Sequence, residues 1–353
     1  MHKPTKISIR HLYKIFGADP DTALKKVLNG VSKADLLARH GHVLGLNDIN
    51  IEMRAAEISV VMGLSGSGKS TLIRHINRLI EPTSGEILVD GQNVVDCSAV
   101  GMRNLRQEKM SMVFQNFGLF PHRTTLQNTC LAPLVRGEDM ASVEKIARCW
   151  LERVGLAGNE AQYPHQLSGG MRQRVGIARA LTSNSDIMLM DEAFSALDPL
   201  VRSDMQDLLL ELQSELHKTI VFITHDLDEA MKLADHLVVL KDGSVIQQGD
   251  PQEILLNPAD AYIESFVQDI NRARVLRVRS VMGPLGSVQS GISGEVDHDD
   301  TLESLIARAQ GDTTKSFRVL RGGVPVGEVE MTGLVRALVP RIGSAFGAGG
   351  ATA

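Results

Sequence analysis

The residues best suited to chemistry are GLSGSGKS, Gly63 to Ser70, in which a glycine is followed by four residues and then Gly-Lys-Ser. Here the pattern follows an apolar strand, EISVVM from Glu57 to Met62, and opens a helix at Lys69. Its glycines let backbone N–H groups curl round phosphate oxygens, and the helix start adds the positive end of its dipole. Lys69 would place an ammonium on those oxygens, and the Ser70 hydroxyl would bind Mg²⁺. A Gly/Ser turn with a chance lysine gives the same letters, but not a strand and a helix in register on either side.

Two further segments gain meaning from that loop. In IMLMDE, Ile187 to Glu192, an apolar strand delivers two carboxylates at its C-terminal end, where α/β sheets bind ligands. Asp191 is suited to hold Mg²⁺ through its water shell, and Glu192 to polarise an attacking water. Apolar strands often end in acidic residues, so the phosphate loop upstream carries much of this reading. In LSGGMRQR, Leu167 to Arg174, the Ser168 hydroxyl and the bare backbone of Gly169 and Gly170 open a helix that runs on through VGIARAL. Together they form a second phosphate-binding helix end.

Strands are expected at residues 6–16 (KISIRHLYKIF), at HVLGLNDINIEM, at EISVVM and at GEILVD. Others follow at MSMVF, IMLM, TIVFIT and HLVVL. Helices fall between the later strands, which is the alternation of a mainly parallel sheet covered on both faces. Residues 18–42 break the pattern with helical spacing and a Ser32–Asp35 start signal, and read as a helical insert. Residues from about 122 to 182 read as mostly helical. Composition limits the rest. One Trp, three Tyr and nine Phe in 353 residues leave few faces for a single-strand nucleic-acid platform or an aromatic cage. A formal charge of −5 provides no global pull towards nucleic acid. No apolar run reaches the roughly 18 to 20 residues that cross a bilayer, and the N-terminus lacks a signal-peptide block. Cys97, Cys130 and Cys149 are odd in number, lack ligand-like spacing and read as reduced structural residues.

The ordered set GLSGSGKS, Gln115 after MSMVF, LSGGM, IMLMDE, SALD and His225 after TIVFIT resembles the ATP-binding subunit of ABC transporters. The resemblance covers roughly residues 6–267. It implies an α/β P-loop NTPase with a mainly parallel sheet core, an antiparallel β subdomain and a helical subdomain, spanning residues 1–270. It implies that ATP is held by Gly63, Leu64, Ser65, Gly66, Ser67, Gly68, Lys69, Ser70 and Thr71. It also implies head-to-tail pairing of two subunits, with Ser168, Gly169 and Gly170 of one capping the ATP of the other. On the same grounds Gln115 touches Mg²⁺ with Ser70 and Asp191 and senses the membrane partner. Asp198 crosses the dimer interface, and His225 contacts the γ-phosphate and orients water. Glu192, His225, Lys69 and Gln115 form the implied catalytic group. Phe16 of YKIFG matches the family's adenine-stacking position, with Tyr13 as the competitor. Phe117, Leu119 and Phe120 after Gln115 are candidates for a helix-in-groove contact with the permease.

Within the family the sequence is most similar to ATPases of importers for glycine betaine, proline betaine and related quaternary amines. The early insert and Ala193 in MDEAFSALDPLVRSDMQD are the discriminating features. Importers of choline, carnitine or histidine share much of this pattern and stay open as alternatives. The implied partners are a second copy, two transmembrane permease subunits and, indirectly, a secreted substrate-binding protein, with no nucleic acid. The implied place is the cytoplasmic face of the inner membrane. An ABC ATPase acting on DNA would normally show heptad arms or zinc cysteines, and a translation-linked one usually carries two cassettes. A small-molecule P-loop kinase has no use for LSGG with SALD. Beyond the cassette, residues 271–296 read as a linker and 297–340 as a single CBS-like α/β unit or a small packing appendage. Residues 341–353 read as a flexible tail.

Overall fold

A computed structural model describes residues 3–287 and 291–339. The chain separates into two compact units, Met1–Gln248 and Gly249–Ala353. The segment 341–353, expected to be a flexible tail, lies outside the described residues.

In the first unit, β1 (Thr5–Phe16), β2 (Val43–Arg54), β4 (Ser84–Val89) and β5 (Gln92–Asn93) form a four-stranded sheet in the order β2-β1-β4-β5. Its pairings are antiparallel. A second, six-stranded sheet contains β3 (Ile58–Met62), β6 (Met110–Val113), β7 (Ile187–Asp191), β8 (Thr219–Thr224), β9 (His236–Lys241) and β10 (Ser244–Gly249), in the order β10-β9-β3-β8-β7-β6. From β9 through β6 every pairing is parallel. Every residue of β3, β7 and β8 is buried. That is why ISVVM, IMLMD and TIVFIT are continuous apolar runs rather than alternating ones: helices cover both faces of a parallel sheet. Each fully buried Val, Ile or Leu contributes about 1.5–3 kcal/mol. One core cluster joins the two sheets, with Ile7, Ile9, Leu46 and Ile49 packed together with Val61, Leu189, Val221 and Val238.

The insert folds as two short helices, Pro20–Leu28 and Lys33–His40. Asp19 caps the first and Ser32 the second, the latter through Asp35 N–H donating to Ser32 Oγ at 3.1 Å. Ala23 and Leu36 pack on Ile15 and Leu44, which fastens the insert to β1 and β2. Between residues 122 and 182 lie helices Thr125–Thr129, Leu131–Val135, Met140–Arg153 and Gly169–Thr182.

The second unit holds β11 (Gly294–Asp297), β12 (Ser316–Arg321) and β13 (Val324–Glu330), with β11 parallel and β13 antiparallel to β12. Helices Leu302–Ala309 and Met331–Leu338 complete a strand-helix-strand-strand-helix order. The stretch read as a linker is not plain coil. It carries a helix at Arg272–Val275 and a 3₁₀ turn at Val278–Ser280, and Leu276 and Val278 are fully buried.

Candidate functional site

Strand β3 ends at Met62, and the backbone turns at Gly63, whose φ is +153°. A Cβ there would stand 2.2 Å from the Leu240 carbonyl oxygen, so the loop leaves the sheet only with glycine at this position. Gly68, at φ +103°, closes the loop; a Cβ would stand 2.9 Å from the Gly45 carbonyl oxygen of β2. The helix Lys69–Ile76 follows. Lys69 is buried, and its Nζ donates to the carbonyls of Gly63 at 2.8 Å and Leu64 at 3.0 Å. Burial pushes the Lys69 ammonium below its ordinary value, while Glu192 and Asp191 oppose that shift. The loop carbonyls thus hold a desolvated cation where an anion would suit it better. Ser67 Oγ is also buried, with no hydrogen-bond partner among the described residues.

Strand β7, parallel to β8, brings Asp191 to its C-terminal end, with Glu192 next in the chain. Ser70 Oγ donates to Asp191 Oδ1 at 2.8 Å, and Arg74 Nη2 donates to Asp191 Oδ2 at 3.3 Å. Glu192 follows in a left-handed conformation, φ +46°, held by its N–H donating to the Ile223 carbonyl at 3.1 Å. Such backbone costs of order 1–3 kcal/mol in a residue other than glycine and collects at functional sites. Gln115 Nε2 donates to Glu192 Oε2 at 3.1 Å, and His225 Nδ1 stands 3.5 Å from the same oxygen. The hydroxyl of Ser70, the carboxylate of Asp191 and the amide oxygen of Gln115 make an all-oxygen donor set, which fits a hard cation such as Mg²⁺.

A cavity of about 450 Å³ opens beside these groups; Lys69, Ser70, Gln115 and Glu192 line it, whereas Asp191 and His225 do not. Phe16 and Val43–Gly45 line one wall, Ser65, Gly66 and Gly68–Thr71 line another, and Gln115 and Glu192 lie on its border. Phe16 is 41% exposed, while Tyr13 pairs with Ser84 inside the antiparallel sheet and does not line the cavity. The bare backbone of Gly45 makes room for the Phe16 ring: a Cβ there would come within 2.8 Å of Cε2. Lys14 Nζ sits 5.0 Å from the ring centroid.

Other expected residues stand apart. Ser168, Gly169, Gly170 and Asp198 do not line the cavity. They neighbour one another instead, because a Cβ on Gly170 would lie 3.0 Å from Val201 Cγ1, beside the helix that Asp198 caps. Ser168 caps its own helix, accepting from Met171 N–H at 3.2 Å. The segment after Gln115 is open only in part. Phe120 is exposed, but Phe117 and Leu119 are half-buried. The Arg172 guanidinium lies 4.8 Å from the Phe117 ring centroid. Buried Arg179 donates to the carbonyls of Phe117 and Gly118 at 3.1 and 2.5 Å. Two arginines of the helix that begins after Ser168 therefore clamp the loop that carries Gln115.

Arg74 and Lys33 belong to none of the sequence motifs. Arg74 could have been found from its spacing of one helical turn after Ser70. Lys33 has no such signal.

The family described as ABC transporter matches residues 46–195. The chain is 51% identical over 280 residues to the glycine betaine transport ATP-binding protein OpuAA of Bacillus subtilis, covering 79% of this chain and 67% of that one. It is 52% identical over 278 residues to the glycine betaine/carnitine transport ATP-binding protein GbuA of Listeria monocytogenes, covering 79% and 70%. Identity to the glycine betaine/proline betaine transport ATP-binding protein ProV of Escherichia coli is 42% over 338 residues, covering 96% and 84%. Among solved structures, the dimeric ATP-binding cassette MJ0796 bound to ADP and Pi superposes with a TM-score of 0.60 at 30% identity, over 69% of this chain and 98% of that one.

Proposed function

Because this chain belongs to the ATP-binding proteins of ABC transporters, we propose that it hydrolyses ATP to drive uptake of glycine betaine or a related quaternary amine. One observation carries the chemical part. Glu192, fixed in a left-handed turn after a buried strand, meets Gln115 and His225 at the border of the phosphate-loop cavity.

In this reading Phe16 stacks on adenine, and the amides of residues 63–71 with Lys69 bind the phosphates. Lys69 exchanges the Gly63 and Leu64 carbonyls for phosphate oxygens, which satisfies its buried charge. Ser70, Asp191 and Gln115 would hold Mg²⁺, which when bound neutralises phosphate charge. Glu192 orients a water for in-line attack on the γ-phosphorus and takes up its proton, as the bond to the β–γ bridging oxygen breaks to leave ADP and phosphate. His225 holds the γ-phosphate side of the site.

Ser168, Gly169, Gly170 and Asp198 lie outside their own chain's cavity, as they must if they serve a second copy. Head-to-tail dimerisation places them on the partner's nucleotide. Closure then passes through the clamped Phe117–Gly118 segment to two permease subunits at the cytoplasmic face of the membrane, with substrate delivered by a secreted binding protein. No helix among the described residues is long and apolar enough to cross a membrane itself. The strand-helix-strand-strand-helix order from Gly294 to Leu338 supports the reading of residues 297–340 as a single CBS-like unit. Phosphate release by the purified chain tests the chemistry: it should require Mg²⁺ and vanish in Asp191→Asn. Equal release by the variant would refute the assignment.

A further inference from the structure

The helical insert reaches the nucleotide cavity through a residue that the motifs do not include. Lys33 lines the cavity together with Phe16, Leu44 and the phosphate loop. Its position is fixed by construction. Ser32, the residue before it, caps the helix Lys33–His40, and Leu36 in that helix is fully buried against Ile15 and Leu44, the cross-strand pair next to Phe16 and Val43. Lys33 is therefore presented from a packed platform rather than from a loop.

Its present partner is weak. Lys33 Nζ lies 3.4 Å from Asp242 Oδ1, with the side chains 37% and 73% exposed. A solvated pair at that distance contributes little and can be exchanged for a better anion. Asp242 sits at the edge of the phosphate loop: the next residue, Gly243, donates its N–H to the Ser67 carbonyl at 3.0 Å and accepts from Asn47 N–H at 2.8 Å. Among the cavity-lining residues the cations are Lys33 and Lys69, and the anion is Glu192. Lys69 is buried and bound to the loop, whereas Lys33 is the ammonium that solvent and ligand can both reach.

We infer that the insert is part of the nucleotide site and that Lys33 is a binding residue, exchanging Asp242 for the phosphates of the bound nucleotide. The inference rests on reading this cavity as the ATP site.

The test is calorimetric titration of the full chain with ADP, at low and at high salt. Lys33→Ala should bind about three- to fivefold more weakly at low salt, the range for a partly solvated charge contact, and the deficit should shrink at high salt. Lys33→Arg should bind like wild type. Lys25→Ala removes the same charge from an exposed site on the same insert, outside the cavity, and should also bind like wild type. Wild-type affinity in Lys33→Ala with binding lost in Lys69→Ala would overturn this inference alone. Equal weakening in Lys25→Ala and Lys33→Ala would also overturn it, since only the general field would then matter. Wild-type affinity in both Lys33→Ala and Lys69→Ala would overturn the reading of the cavity, and the inference with it.

Discussion

Replacing Glu192 with Gln removes a proton acceptor and little else. The Gln115 amide now donates to Glu192 Oε2 at 3.1 Å, and a glutamine carbonyl oxygen at the same place can still accept it. The His225 ring, 3.5 Å from that oxygen, faces a neutral group instead of a carboxylate. The left-handed backbone at φ +46° is equally strained for Gln and Glu, so no new conformational cost arises. Stability should therefore stay within about 0.5 kcal/mol of wild type, as for substitutions that leave packing intact. Loss of a positioned base typically costs about 10²- to 10⁴-fold in rate. That corresponds to roughly 3–5 kcal/mol in the barrier. Single-turnover phosphate release should fall by that factor while ATP affinity holds, and ATP-bound dimers should accumulate on a sizing column. A fall of less than tenfold with ATP binding intact would refute the role given to Glu192. Loss of ATP binding would instead make it a binding residue.

Three further outcomes follow from other parts of the site. Ser168→Ala should lower hydrolysis with little change in the affinity of dilute monomer for ATP, because Ser168 does not line its own chain's cavity; a proportionate loss of monomer affinity would contradict the head-to-tail arrangement. The lost helix cap would itself cost about 1 kcal/mol, so a Ser168→Asn control, which can retain the cap, separates the two effects. Phe16→Ala should weaken ATP binding by roughly two- to tenfold and Phe16→Trp should not, the worth of an aromatic contact; titration with ATP checks both. His75 donates from Nδ1 to the Thr71 carbonyl at 2.6 Å, and burial pushes its pKa below the ordinary value. Burial shifts His236 in the same direction. The unfolded chain then takes up protons near pH 6.5 that the folded chain refuses, so stability should fall as pH drops below about 6.5, by at most about 1.4 kcal/mol per pH unit and histidine. Thermal melts between pH 7.5 and 5.5 should show this, with a shallower slope in His75→Gln.

Much of the architecture was legible because its causes are local. Continuous apolar runs mark β3, β7 and β8, and the Ser32–Asp35 signal marks a real cap. The choice between Tyr13 and Phe16 was not legible from alternation. Strand β1 shifts register against β2 between Ile9 and Leu12, between Leu12 and Lys14, and again between Lys14 and Ile15. Each such irregularity re-aims the side chains that follow, so period-two counting fails near the strand's end. A Phe that follows a strand and a Gln, as Phe117 does, carries no sign in the sequence of what will cover it. Arg172, more than fifty residues along the chain, covers the ring. The Arg74–Asp191 pair and the place of Lys33 likewise arise from tertiary approach, which one-dimensional spacing encodes only in part.

Coupling of hydrolysis at this site to solute uptake is followed by loading ATP inside proteoliposomes that carry the chain with its permease subunits, and measuring entry of labelled glycine betaine presented outside with the binding protein. Such coupling gives ATP-dependent accumulation with wild type and none with Glu192→Gln. Accumulation by Glu192→Gln at the wild-type rate would contradict it, and so would brisk hydrolysis by wild type without uptake of any quaternary amine.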